Sequence, residues 1–319
     1  MVERLAAFVR TRRWIWPLVG ILIMWATLTI LTSRFSIHSL SGMAMSASFL
    51  LLTELGQMLV ITTGRGNIDL SIPSVVTLAA YVSVMTADGS AAGLLLTLLI
   101  VIAGTCAVGA FNAFLVLALR IPAMIATLAT GYILATATLL VNAQIGVFTL
   151  PPALSFAAAG RIGGIPTICL IAAGAAIVIG LLLGYSAYGR KLLAVGQSIE
   201  AARLAGVSVE RVIAFTFVAS SVLAGLSGLL LSGYAGGAFL EMGSPYLLQS
   251  VGAVVLGGTL ISGGSATALG TMLGGMLLVM IVTTMQIAGL PPGIQDVLQG
   301  LVIIAVLSVA GTRISRRTN

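Results

Sequence analysis

Few side chains in this sequence could do chemistry, and spacing tests each combination. The chain has one histidine, His38, two cysteines, Cys106 and Cys169, one lysine, Lys191, and eight acidic residues. A phosphate-binding loop needs Gly-x4-Gly-Lys-Ser/Thr, whose lysine reaches the phosphates, but Leu192 follows Lys191. ATP hydrolysis by that route is excluded. Gly225-Leu226-Ser227-Gly228 sets a serine among small residues, yet a nucleophilic serine needs a base to take its proton, and His38 lies in a separate segment. One histidine and two cysteines on separate apolar runs offer no zinc-ligand spacing. The reading is of a chain that is not an enzyme, with no metal site and no cofactor of its own.

Polar groups inside apolar runs remain. Glu54 and Gln57 sit three residues apart in one such run and share a helical face. A carboxylate at that depth must face protein or water and raises a functional hypothesis. With Asn67, Asp69, Ser71, Asn112, Gln295 and Gln299, these residues are candidates for a translocation path or gate. Interhelical hydrogen bonding is the plainer alternative for each. Neutral hydrogen-bonding groups without a ladder of charges suit an uncharged polyhydroxylated solute better than an ion.

The longest well-charged segment is 185–211, which carries Arg190, Lys191, Arg203 and Arg211 with Glu200 and Glu210. Within it, Ser198 to Ala205 predicts a short helix: Ser198 as N-cap, Glu200 at the positive end of the dipole, and Gly206 as the stop. A helix of about two turns is marginal alone in water and calls for a partner surface; a solvated loop helix is the plainer reading.

These elements must be positioned by membrane spans. Hydrophobic residues make up 59% of the chain and charged residues 7%, with mean hydropathy +1.17. That is the composition of a polytopic helical membrane protein. Hydropathy places spans near 14–32, 44–62, 72–88, 92–118, 121–141, 165–184, 212–232, 246–262, 265–284 and 293–310. The expected fold class is therefore all-α: a polytopic integral membrane protein of roughly ten transmembrane helices in one domain, 1–319, since each span needs ~20 residues. With the N-terminus inside, thirteen of fifteen Lys and Arg residues fall on the inner side, against Arg34 and Arg161 outside. The positive-inside rule thus puts both termini (1–13 and 311–319) and the 185–211 loop in the cytoplasm. The net charge of +7 reads as topology signal, and no nucleic-acid partner is expected.

Small residues recur at four-residue spacing, as in Gly180-x3-Gly184 and Gly270-x3-Gly274, and predict close helix approach. The seven glycines from Gly257 to Gly275 read either as close packing or as a tight or unwound segment lining a cavity. The external connection Asn142 to Arg161, with Pro151-Pro152, is a candidate contact surface for an outside partner.

Taken in order, Ile68-Asp69-Leu70-Ser71, Lys191-Leu192-Leu193-Ala194-Val195-Gly196, Glu200-Ala201-Ala202-Arg203-Leu204-Ala205-Gly206-Val207, Val254-Val255-Leu256-Gly257-Gly258-Thr259 and Ser262-Gly263-Gly264 resemble the permease subunits of sugar-importing ABC transporters. The branch includes ribose, xylose, galactose and autoinducer-2 importers. Asn67 and Pro73 stand where that family commonly has glycines. The resemblance implies an ABC importer permease fold in a bacterial inner membrane and a path for a small polyhydroxylated solute, a monosaccharide. It also implies a separate ABC ATPase subunit that uses ATP and Mg, an extracytoplasmic solute-binding protein, a second permease copy (identical or paralogous) and surrounding membrane lipid. The family's ATPase-coupling role falls on Arg190, Glu200, Ala201, Ala202, Arg203, Gly206 and Val207. An ion-coupled secondary transporter of a small neutral solute is the alternative.

Overall fold

The computed structural model describes residues 14–32 and 37–315. Among them are thirteen helices and one two-stranded hairpin. In chain order the helices are α1 (Ile15–Thr32), α2 (Ile37–Thr62), α3 (Ile72–Thr86), α4 (Ala91–Leu117), α5 (Ala123–Asn142), α6 (Pro152–Ala159), α7 (Thr167–Tyr185), α8 (Ala187–Gln197), α9 (Ile199–Leu204), α10 (Val209–Ala235), α11 (Tyr246–Leu256), α12 (Ala268–Ile287) and α13 (Pro292–Ser315). Ten of these correspond to the ten expected spans. Six are long and apolar enough to cross a membrane, and four shorter apolar stretches, 15–30, 72–86, 246–256 and 292–305, complete the set.

The bundle is built around α2 and α10, which are mostly buried, while α4, α5 and α7 form a periphery whose Leu96, Leu99, Ile125, Tyr132, Ile177 and Val178 face outward. Lipid tails are as apolar as leucine, so burying leucine cannot by itself hold such helices together; close backbone approach must. The sequence of α10 supplies it. A Cβ on Gly228 would overlap the Val76 carbonyl of α3, and one on Gly109 of α4 would lie 2.5 Å from the α10 backbone at Val218. Gly56 of α2 meets α10 at Ser220, where a Cβ would fall 2.9 Å from Cα. Ser227 adds a hydrogen bond of 2.9 Å to the Phe49 carbonyl. Backbones of three helices therefore rest on one.

Helix ends follow local chemistry. The side chain of Ser90 accepts from the Gly93 N–H at the start of α4, Ser186 from Gly189 at α8, and Thr267 from Gly270 at α12. The external connection expected from Asn142 to Arg161 contains α6, with Pro152 in its first helical turn. It leads into the hairpin β1 (Arg161–Ile162) to β2 (Ile165–Pro166), turned by Gly163 and Gly164 with φ of 57° and 85°. A two-residue turn of this kind needs both residues left-handed.

Two connections are irregular, and one of them cuts an expected span short. The chain unwinds at 63–71 before the 15-residue α3, and at 257–267 after the 11-residue α11. The expected span 246–262 therefore stops early, and the glycines of 257–264 form a turn. The two small-residue spacings also separate. Gly270 and Gly274 touch backbone, since Cβ atoms there would overlap the carbonyls of Gly257 and Ala253. Gly180 lies only in ordinary contact with Ala268, and Gly184 meets nothing within 4 Å. Those two border an apolar groove of about 620 Å³ between α7 and α12, so the expected close approach at Gly180-x3-Gly184 is absent.

Candidate coupling site

The segment 185–211 folds as two helices where one was expected. Leu192 and Val195 of α8 turn inward while Arg190 and Lys191 are exposed. Tyr188 packs edge-on against Phe215 at 4.7 Å and shares a hydrogen bond of 2.7 Å with Thr216, which fixes α8 to the start of α10. Burial pushes the Tyr188 phenol up to about 12.

The next helix, α9, has six residues and is closed at both ends. The side chain of Ser198 accepts from the Ala201 N–H at 3.2 Å. At the other end the Val207 N–H bonds the Ala202 carbonyl and the Gly206 N–H bonds that of Arg203, with Gly206 at φ 78°. This pair of bonds satisfies the last carbonyls of the helix. Ile199 and Ala202 are buried one turn apart, so the remaining face is forced outward. That face presents Glu200, Ala201, Arg203 and Leu204, with Gly206 at its end.

Two ion pairs frame the exposed face. Arg65, from the turn after α2, donates to Glu200 at 2.9 Å, and Arg203 pairs with Glu210. Glu200 is held below its usual range by its own backbone N–H at the helix start, then by Arg65 and Ser198. Glu210 is held down by its own backbone N–H and by Arg203. Both carboxylates are charged at neutral pH, but these pairs are solvated and add little to stability.

Leu204 is 92% exposed at the tip of α9. It was absent from the residues singled out by sequence, although the inward spacing of Ile199 and Ala202 already turns it away from the bundle. The exposed face is thus charged, with an apolar side chain at its end. Arg65 was missed as well. Its partner is 135 residues away, and no local spacing marks it.

Four of the candidate path residues join one hydrogen-bonded cluster, in which Gln57 Nε2 and Asn112 Oδ1 find no partner among the described residues. The Asp69 N–H donates to Gln57 Oε1 at 3.3 Å. Asp69 Oδ1 accepts from the Ser71 N–H at 3.0 Å and from Ser71 Oγ at 2.6 Å, while Oδ2 accepts from Ser220 Oγ at 2.8 Å. Asn112 donates to Ser71 Oγ at 2.9 Å, and the neighbouring Leu70 N–H donates to Thr127. The unwound turn 63–71 is thereby fastened to α2, α4, α5 and α10. Asn67 is separate and bonds Thr63. Gln295 bonds the Leu290 carbonyl and, like the buried Gln299, belongs to α13, away from this cluster. Glu54 is fully buried with its carboxyl in the notch left by Gly275 of α12, and neither oxygen has a hydrogen-bond partner among the described residues. Among the described residues no group of acidic, histidine or cysteine side chains could hold a metal.

Residues 39–307 match the family described as branched-chain amino acid transport system / permease component. The chain belongs to this permease family. The permease is 31% identical to the autoinducer 2 import system permease protein LsrC of Yersinia enterocolitica over 305 residues, covering 95% of its own chain and 84% of the relative. It is 32% identical to the protein of the same name from Yersinia pseudotuberculosis, covering 95% and 86%. These matches make it a multi-pass permease of a sugar-type ABC importer. No solved structure matches it significantly.

Proposed function

We propose that this permease forms the membrane path for a small polyhydroxylated solute of monosaccharide size, worked by a separate ATPase that docks on α9. The observation that carries this reading is the exposed face of α9, capped at both ends, with Leu204 uncovered at its tip. A helix of this length does not persist in water by itself, yet here it is held by Ile199 and Ala202 while its outer face stays free of the bundle. The family description names branched-chain amino acids, whereas the relatives matched along nearly the whole chain are named for autoinducer 2 import. We favour the latter, because these relatives match along nearly the whole chain.

In this reading the α9 side of the bundle and both termini are cytoplasmic, and the permease works with a second permease copy and an extracytoplasmic solute-binding protein. ATP and Mg are used by the ATPase. Nucleotide closes the ATPase dimer, α9 follows, and the path opens to one side at a time. Only different affinities of nucleotide for the two states can drive such a switch.

The test is a permease carrying Glu200→Lys and Gly206→Trp. The first change reverses the charge at the start of α9, and the second places a bulky side chain at a left-handed position. Membrane insertion should persist while the ATPase no longer co-purifies. A full complex with undiminished import would refute docking at α9. The unpartnered carboxyl of Glu54 is the one observation favouring ion-coupled transport. Solute flux through the purified permease under a proton or sodium gradient, without any ATPase, would establish that second reading.

A further inference from the structure

Three connections distant in the chain meet beside α9: the turn 63–71 after α2, the end of α8, and the turn 257–267 after α11. The Gly264 N–H donates to the Thr62 carbonyl at 3.0 Å. A Cβ on Gly64 would lie 3.0 Å from the Ser262 carbonyl oxygen and 3.1 Å from that of Gly196. A Cβ on Gly196 would overlap both the Thr62 carbonyl and the Gly264 N–H, and one on Gly263 would overlap the backbone of Gly64. Backbone therefore meets backbone with no side chain between. A rotamer change cannot absorb a displacement at such a contact, which makes it stiff.

Arg65 belongs to the same place. It is left-handed (φ 56°) between Gly64 and Gly66, both also left-handed (φ 80° and 70°). That conformation is uncommon for a residue with a Cβ and is costly to hold. Its outcome is the guanidinium reaching Glu200 on α9. The pair is largely exposed, 64% and 75%, so stability does not account for the strain. The junction grips the last turn of α2 and the turn leading into α12, and those two helices also face each other where Glu54 lies against Gly275.

Resting on the reading of α9 as the docking helix, we propose that Arg65 and the glycine junction of Gly64, Gly196, Gly263 and Gly264 are positioning residues for transport, carrying a displacement of α9 into α2 and α12. A motion imposed on α9 then reaches two helices of the bundle through one stiff contact.

The experiment uses the complex purified with its ATPase and binding protein. Two quantities are read: solute imported per ATP hydrolysed, and hydrogen exchange in 63–71 and 257–267 with and without nucleotide. In wild type both turns change protection on adding nucleotide. Gly196→Ala should keep the ATPase bound, lower import per ATP by about tenfold because a side chain there forces the backbone contact apart, and abolish the exchange response of both turns. Arg65→Glu, on an exposed pair, should lower the ratio by roughly twofold to fivefold, with Arg65→Lys restoring most of it. If Gly196→Ala fails to fold, Arg65→Glu decides. An unchanged ratio with the exchange response intact in Arg65→Glu overturns the inference. Loss of ATPase binding in either variant also overturns it, because the junction would then only shape the docking surface. A wild-type permease that binds no ATPase would refute the docking reading itself.

Discussion

Replacing Asp69 by alanine should remove most folded permease from the membrane. The side chain is 2% exposed and accepts three hydrogen bonds, from the Ser71 N–H, Ser71 Oγ and Ser220 Oγ. Alanine leaves those donors buried without an acceptor, at about 1–3 kcal/mol for each group that finds no other. It also unfastens the turn 63–71, because Ser71 is the link through which Asn112 of α4 holds that turn. Asp69→Asn should be far milder. Its carbonyl oxygen can keep the Ser71 bonds, and the Ser220 hydroxyl can rotate to accept from the new amide. Thermal scans of detergent-extracted protein, read as loss of the monodisperse peak, should rank wild type above Asn and Asn above Ala. Equal midpoints for Ala and wild type would show that the cluster does not hold the turn.

Gly274→Leu should be equally damaging for a different reason. A Cβ at Gly274 would overlap the Ala253 carbonyl and lie 2.7 Å from the Gly257 nitrogen, so α11 and α12 must separate to admit any side chain. Overpacking of a tight core costs about 1–3 kcal/mol for modest additions, and leucine at a backbone contact belongs at or beyond the top of that range. Gly174→Leu is the matched control, since nothing lies within 4 Å of a Cβ at that position on α7. The Gly274 variant should lose its thermal midpoint while the Gly174 variant keeps it. Similar losses in both would mean that leucine is harmful for its bulk in a span and not for the contact it breaks.

The sequence makes some of this plain and hides the rest for physical reasons. The ten apolar stretches are legible because a span is set by length and by exclusion of charge, both local properties. Ser198 and Gly206 are legible as the ends of α9 because capping needs only the residue and its immediate neighbours. The helix α8 is not, since Arg190 and Lys191 interrupt its apolar positions and Gly189 and Gly196 lie near its ends. Nor can spacing alone separate Gly180-x3-Gly184 from Gly270-x3-Gly274. The second pair has Gly257 and Ala253 opposite it and the first has a groove, which is a property of the facing helix. The polar residues show the same division. Gln57, Asp69, Ser71 and Asn112 stand out as costly groups in apolar surroundings, but their union in one cluster depends on how α2, α4 and α10 cross. Arg65 is visible only in three dimensions, through a partner 135 residues away, whereas the outward turn of Leu204 follows from the spacing of Ile199 and Ala202.

The closure of α9 by its own serine and glycine has a consequence for kinship among such machines. A loop that takes its form from the surrounding protein cannot be transplanted, whereas this one carries its caps in residues 198–207 and needs from its host sockets for Ile199 and Ala202 and a cation placed like Arg65 opposite Glu200. It is a cassette. Exchanged between two permeases with equivalent sockets, it should carry the choice of engine with it and leave the cargo unchanged.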